Sequence, residues 1–166
     1  MPSHVFLKSL SDQELIGSLK DLIAEEREIQ TAILHYIREV ETRKLYLQYG
    51  YGSLFTYLTE GLGYSEGSAQ RRIQSMRLIH SVPEVEAKLE SGEMSLSVAS
   101  KVQSFIQNED KRRKYEGEKP VTVEEKTALV EKLQGTSFRQ CEQKLAELAP
   151  ESALPKDKAR AITEDA

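Results

Sequence analysis

The sequence predicts an all-α protein: a long N-terminal helix followed by a helix-turn-helix core and a C-terminal helical pair. Three observations carry the prediction. Apolar residues recur at three- and four-residue spacing along most of the chain, and no segment alternates like a half-buried strand. Ser or Thr stands just ahead of most such runs, where a hydroxyl can satisfy a free N–H of a first helical turn. Most of the nine glycines and five prolines fall between the runs.

The first element is the longest. In "SLSDQELIGSL", Ser11 is placed as N-cap and Glu14 as N3, a reciprocal capping box, and Leu10 and Leu15 flank it as a hydrophobic staple. Apolar residues then follow a 4-3 rhythm: Leu15, Leu19, Leu22, Ile29, Ile33, Tyr36 and Val40, with Glu26 interrupting. Ile16, Ile23 and Ile37 widen the stripe. The spacing predicts one helix over 11–48, roughly 55 Å long. Two readings of it stand. It is a scaffold packed along its own domain, or it is an arm that pairs two copies into a homodimer, which suits a reader of paired DNA half-sites.

Gly50 and Gly52 then end the helix, and Ser53 caps a short one with Leu54, Phe55 and Leu58 on its apolar face. Gly61 and Gly63 supply a tight turn, and Ser65 caps the next helix, to about residue 80. That order is the grammar of a helix-turn-helix. A short helix follows near Pro83 and stops at Gly92. Ser95 caps another, with Leu96, Ala99, Val102 and Ile106 on one face. "DKRRKYEGEKP" reads as an exposed charged connection. Thr122 with Glu125 forms a second capping box, and that helix stops at Gly135. The last helix carries Phe138, Cys141, Leu145 and Leu148 and ends at Pro150. The divisions are therefore a long helix over 1–48, a core over 49–108, a helical pair with its charged loop over 109–149, and a flexible tail over 150–166.

Composition bounds the function. No run of about 18 apolar residues exists, so no membrane span is expected. The first ten residues lack the form of a secretory signal, and a single cysteine rules out an intramolecular disulfide framework. A cytoplasmic protein is expected. Net charge is −4, which opposes indiscriminate nucleic-acid binding. The charge is uneven: residues 49–80 carry three Lys/Arg against two Asp/Glu, whereas 81–110 carry two against six. Any DNA contact is then a local patch, modest in affinity and sensitive to salt.

The stretch "LGYSEGSAQRRIQSMRLI" concentrates the chemistry. On a helical wheel Ala69, Ile73 and Met76 face one way, with Ile79 at the edge. Gln70, Arg71, Gln74 and Ser75 face broadly away. Arg72 lies beside the apolar arc, placed to snorkel or to pair with an acid such as Glu60, and Arg77 sits at the boundary. An arginine fork matches guanine, and a glutamine amide matches adenine. Ser65 and Ser68, with the free first-turn N–H groups, suit a phosphate. Gln70, Arg71 and Gln74 are the expected base contacts, Ser65 and Ser68 the expected phosphate contacts, and Arg77 a flanking contact. A plain solvated face is the competing reading.

The segment from Leu62 to Val102, with its "LGYS" turn, a helix ending in "RLI", a Pro-Glu-Val helix and "ESGEMSLSVA", resembles the central DNA-binding region of ParB-type partition proteins. The resemblance implies that the helix opening at Ser65 is a recognition helix. The nucleotide-binding motifs of that family are not visible, so no partition role follows. A wider likeness runs from about residue 10 to 150. The long helix, "YGSLFTYLTEGLGYSEGSAQRRI" and "GTSFRQCEQKLAELAP" are similar to the helical region that precedes the nuclease domain of bacterial HNH endonucleases. This implies an all-helical region that serves a nuclease.

The nuclease chemistry itself is missing. The only histidines are His4, His35 and His80, no two on one helical turn. The chain is expected to be either the front part of a longer protein or a relative without the catalytic part, and not itself an enzyme. No cofactor or metal is expected. Glu25, Glu26 and Glu28 read as a solvated face, Cys141 as a core residue, "KRRK" as a charge-balanced loop, and Tyr46, Tyr49, Tyr51 and Tyr57 as packing around the glycine hinge. The expected function is non-catalytic binding of duplex DNA through residues 65–79. The alternative is a protein–protein interaction module without affinity for DNA.

Overall fold

In the computed structural model, which describes residues 3–153, all regular structure among those residues is helical. The elements are α1 (His4–Lys8), α2 (Asp12–Thr42), α3 (Leu45–Gln48), α4 (Leu54–Thr56) running into a π-helical turn (Tyr57–Gly61), α5 (Glu66–Ser81), α6 (Val85–Ser91), α7 (Leu96–Glu116), α8 (Val123–Leu133), α9 (Phe138–Leu148) and α10 (Pro150–Ala153). No helix among the described residues is long and apolar enough to cross a membrane.

The hydroxyl caps set the helix starts. Ser11, Ser53, Ser65, Ser95, Thr122 and Ser137 each accept a hydrogen bond from the N–H three residues on. Ser11 with Glu14 and Thr122 with Glu125 close both expected capping boxes, and Ser137 with Gln140 closes a third.

The long helix is shorter than expected. It ends at Thr42, not at residue 48, because Lys44 takes the left-handed conformation at φ 52° and turns the chain into α3. A left-handed lysine costs about 1–2 kcal/mol, so local sequence does not favour it. Packing does: the turn carries Tyr46 against the core. Residues 11–26 are exposed throughout, and α2 gives buried residues to the body only from Thr31 onward. There Thr31, Leu34 and Ile37 are buried against α5 and α6. The Arg27 guanidinium lies over Gly92 and donates to the Ser91 carbonyl at 3.4 Å. A Cβ on Gly92 would come within 2.5 Å of that guanidinium, and its φ of +80° favours glycine independently.

α5 is the central helix. It packs most extensively on α7 and also touches α2 and α6. One hydrophobic core runs from Leu34 to Ala153, so α8, α9 and α10 share it with the N-terminal elements. Cys141 is fully buried there, and burial pushes its thiol up to about 11, as befits a core residue. At the hinge Tyr57 stacks with Tyr49 at 6.0 Å and meets Tyr51 at 5.4 Å. Gly61 is needed beside them, since a Cβ would lie 2.9 Å from the Tyr57 ring.

Two expectations for the C-terminal part are corrected. Residues 109–116, expected as an exposed connection, are the last turns of α7, so the division at 108/109 cuts a helix. Its arginines are structural. Glu109, buried, accepts from Arg112 at 2.7 Å, Arg113 at 3.0 Å and the Ser152 hydroxyl at 2.7 Å. Arg113 also grips Glu125 with both guanidinium nitrogens at 3.0 and 2.9 Å, tying α7 to the start of α8. Pro150 does not release a tail at once. It opens α10, whose Ser152 and Ala153 are buried beside α7 and α9. The rest of the expected tail, 154–166, lies outside the described residues.

The Glu109 cluster makes a pH prediction. Hydrogen bonds from Arg112, and then from Ser152 and Arg113, hold the carboxyl at about 2 against burial, below its ordinary 4.5. A depressed folded-state value means that the contribution to stability is complete above about pH 4.5 and is lost as pH falls toward 2. Glu109→Gln is expected to remove roughly 1.5–3 kcal/mol at neutral pH and to flatten the acid limb in that window. Urea unfolding at several pH values measures both. An unchanged acid limb in the variant counts against the assignment.

Candidate nucleic-acid interface

α5 places its polar residues in two different environments. Its first turns are open: Glu66, Gly67, Gln70 and Arg71 are exposed. From Ile73 to Ile79 it is enclosed, and every residue but the half-buried Arg77 is buried. The chemistry available to a ligand is therefore at the N-terminal end, the end that meets base edges in helix-turn-helix docking.

One expected base contact, Gln74, is corrected by this enclosure, and so is the outward placement of Ser75. Gln74 is 5% exposed and faces α7, where its amide donates to the Gln107 side chain at 3.2 Å. Ser75 is fully buried, and its hydroxyl donates to the Leu96 carbonyl at 3.2 Å. Neither can touch DNA. A wheel with one buried face misplaced them because α5 is covered from more than one side. The Gln74 carbonyl oxygen is buried without a partner among the described residues. Gln74→Met is therefore expected to stabilise the fold by about 1 kcal/mol, since it removes an unsatisfied acceptor at similar volume. Thermal melting checks this, and a loss of stability would show that the amide is better satisfied than the geometry indicates.

Arg77 is also committed. It donates to Glu41 of α2 at 3.0 Å and so ties the central helix to the long one. Arg72 lies 4.3 Å over the Tyr64 ring and not beside Glu60. Its guanidinium also donates to the Ser68 carbonyl at 3.2 Å and to the Ser68 hydroxyl. Ser68 is thereby held half-buried as an acceptor. The Ser65 hydroxyl caps α5 by accepting from the Ser68 N–H at 3.3 Å.

Gln70 and Arg71 remain available. Arg71 has no hydrogen bond or ion pair among the described residues, and its Nη1 would lie 3.3 Å from a Cβ on Gly67, so the guanidinium folds back over that glycine. It stands between two neighbouring grooves. One is lined by Arg27, Arg72, Ser68 and the α7 start at Ser95–Ser97. The other is lined by Ser97, Ser100, Lys101, Ser104 and Phe138. Together they form a trough with four cationic side chains (Arg27, Arg71, Arg72, Lys101) and one carboxylate, Glu26. Lys101 is partly neutralised by Glu142 at 3.2 Å. The chain as a whole is acidic, so this is a local basic patch. Small serines along α7 leave room for a ligand to approach both helix starts.

Sequence reasoning missed three parts of this arrangement. Arg27 comes from α2, Lys101 from the second turn of α7, and the serines of α7 from a helix read only for its Ser95 cap and its apolar face. No local motif marks them, because the trough exists only once α2, α5 and α7 pack together. Folding also brings His35 and His80 to one shallow groove. There His35 meets Glu86 at 2.8 Å, and Arg38 meets His80 at 3.1 Å. Among the described residues no group of three His, Cys, Asp or Glu side chains is placed to hold a metal ion.

Comparison with family models, curated proteins and solved structures finds no match to this chain.

Proposed function

We propose that this chain binds duplex DNA without catalysing a reaction on it, through the open N-terminal half of α5 and the trough beside it. The observation that supports the reading is Arg71, without a partner among the described residues, between two serine-lined grooves and flanked by Arg27, Arg72 and Lys101 in a chain of net charge −4. Arg71 and Gln70 are the base-reading groups. Arg27, Lys101 and the first turns of α5 and α7 hold the phosphates, with Ser65 and Ser68 shaping the helix start. Gln74 and Arg77 have no part in it. The likeness to the region before HNH nuclease domains agrees with a DNA-holding role in which cleavage belongs elsewhere.

Few cations are involved, so binding is modest and salt-dependent. Fluorescence-anisotropy titration of short duplexes at about 50 and 200 mM salt tests this, with affinity expected to fall by about tenfold or more across that range. No binding at the lower salt would end the proposal.

A further inference from the structure

We infer that the groove between α2, α5 and the start of α7 is a site for a phosphomonoester, a phosphate group with two charges in place of the single charge of a backbone diester. On DNA that group is a phosphorylated strand end. The strand-end form of the inference rests on the DNA reading above; the phosphate site itself does not.

Charge is the first support. Arg27, Arg71 and Arg72 line this groove of about 480 Å³ against one carboxylate, Glu26, which leaves a charge of +2. Elsewhere in this acidic chain arginines find glutamates: Arg43 pairs with Glu39, Arg77 with Glu41, and Arg112 and Arg113 with Glu109. The three in the groove pair with no carboxylate among the described residues. Arg27 reaches only the Ser91 carbonyl, and Arg72 only Ser68 and the Tyr64 ring. A phosphomonoester carries about −2 at neutral pH and balances that charge, whereas a diester leaves one cation uncompensated.

Donors without acceptors are the second support. The Arg72 Nε is buried and has no partner among the described residues, and a charged donor is costly to leave unmet. At the start of α7 the Ser95 hydroxyl takes the Val98 N–H at 3.2 Å, which leaves the Leu96 and Ser97 N–H groups of the first turn unclaimed. Both residues line the groove, at the positive end of a 21-residue helix. Leu89 and Met94, both buried, also line it and weaken solvent screening there. Arg71 borders the neighbouring groove as well, so it serves both the phosphate and the base of one terminal nucleotide.

The test compares hairpin duplexes ending in hydroxyls with hairpins carrying a 5′- or 3′-terminal phosphate, by anisotropy at low salt. Ser97→Asp and Arg27→Gln are run alongside the wild type. An acid at the second position of α7 suits a helix start, so Ser97→Asp keeps the fold while it repels the phosphate; melting confirms this. The wild type is expected to bind a phosphorylated end at least about tenfold tighter than a hydroxyl end, and both variants to bind all hairpins alike. A preference that survives both variants overturns the site. Calorimetric titration of inorganic phosphate at matched ionic strength separates the sources. Heat that saturates with the wild type and is lost in Ser97→Asp, without any hairpin preference, assigns the groove to a free phosphate compound. Equal hairpin affinities with no such heat overturn the inference and leave the DNA reading standing. No hairpin binding and no heat overturn both.

Discussion

Arg71→Glu is expected to weaken duplex binding by about 10- to 100-fold at low salt, or about 1–3 kcal/mol, and to leave circular dichroism and melting unchanged. The two halves of that expectation have separate causes. Arg71 is exposed and has no partner among the described residues, so its loss removes no interaction from the fold. Surface changes of this kind stay within about 0.5 kcal/mol. Binding responds because the reversal changes the sign of a central cation of the trough that has no partner among the described residues. Arg71→Ala is expected to do less, and to reduce the slope of log affinity against log salt by about one if the arginine meets a phosphate. Gln74→Met serves as the internal control. It lies on the same helix but faces α7, so it alters stability and not binding. Wild-type affinity in Arg71→Glu would remove the trough from consideration as the DNA surface. Parallel losses of affinity and melting temperature would make Arg71 a structural residue instead.

Leu78→Ala is expected to be the most damaging single truncation in α5, at about 3–4 kcal/mol. Leu78 is fully buried, although it lies on the side of the wheel away from Ala69, Ile73 and Met76. If α5 had one buried face, Leu78 would be a surface residue and its truncation nearly silent. Gln74 and Ser75, which flank Leu78 on the wheel, bond to Gln107 and Leu96 of α7, so the substitution leaves a cavity on the side of α5 that α7 covers. Against a typical stability of 5–15 kcal/mol this is a large fraction, and it lowers the melting temperature by about 10 °C in a chain of this length. Denaturant unfolding with an unchanged m-value measures it. A loss below about 1 kcal/mol would mean that α5 and α7 are not the packed pair described.

The caps show why so much of the fold is legible in the sequence. Ser11, Ser53, Ser65, Ser95 and Thr122 act over three residues, through bonds between a hydroxyl and an N–H of the next turn. Nothing distant is needed to place them. The cap at Ser137 is equally local, but its N3 partner is Gln140 and not a glutamate, which makes the signal weaker to read. The turn at Lys44 was not legible for the opposite reason. Neither glycine nor proline marks it, and a lysine enters the left-handed region only because Tyr46 packs on the core. The continuation of α7 through residues 109–116 depends likewise on Glu109 and Glu125 receiving the arginines. A run of charges reads as a loop until its partners on α8 and α10 are in place.

The candidate site divides along the same line. Ser65 as a cap, the open first turns of α5 and the exposure of Gln70 and Arg71 follow from local pattern. The burial of Gln74, the pairing of Arg77 with Glu41, and the arrival of Arg27 and Lys101 beside Arg71 do not. Each joins residues more than 25 positions apart or depends on two helices covering α5 at once. The all-helical class, most of the helix starts and the apolar stripe of the long helix are written locally, because capping and periodicity act within one or two turns. Which polar side chains of α5 face solvent is settled by packing, since that depends on how many neighbours a helix has, and a wheel drawn for one helix holds no record of them.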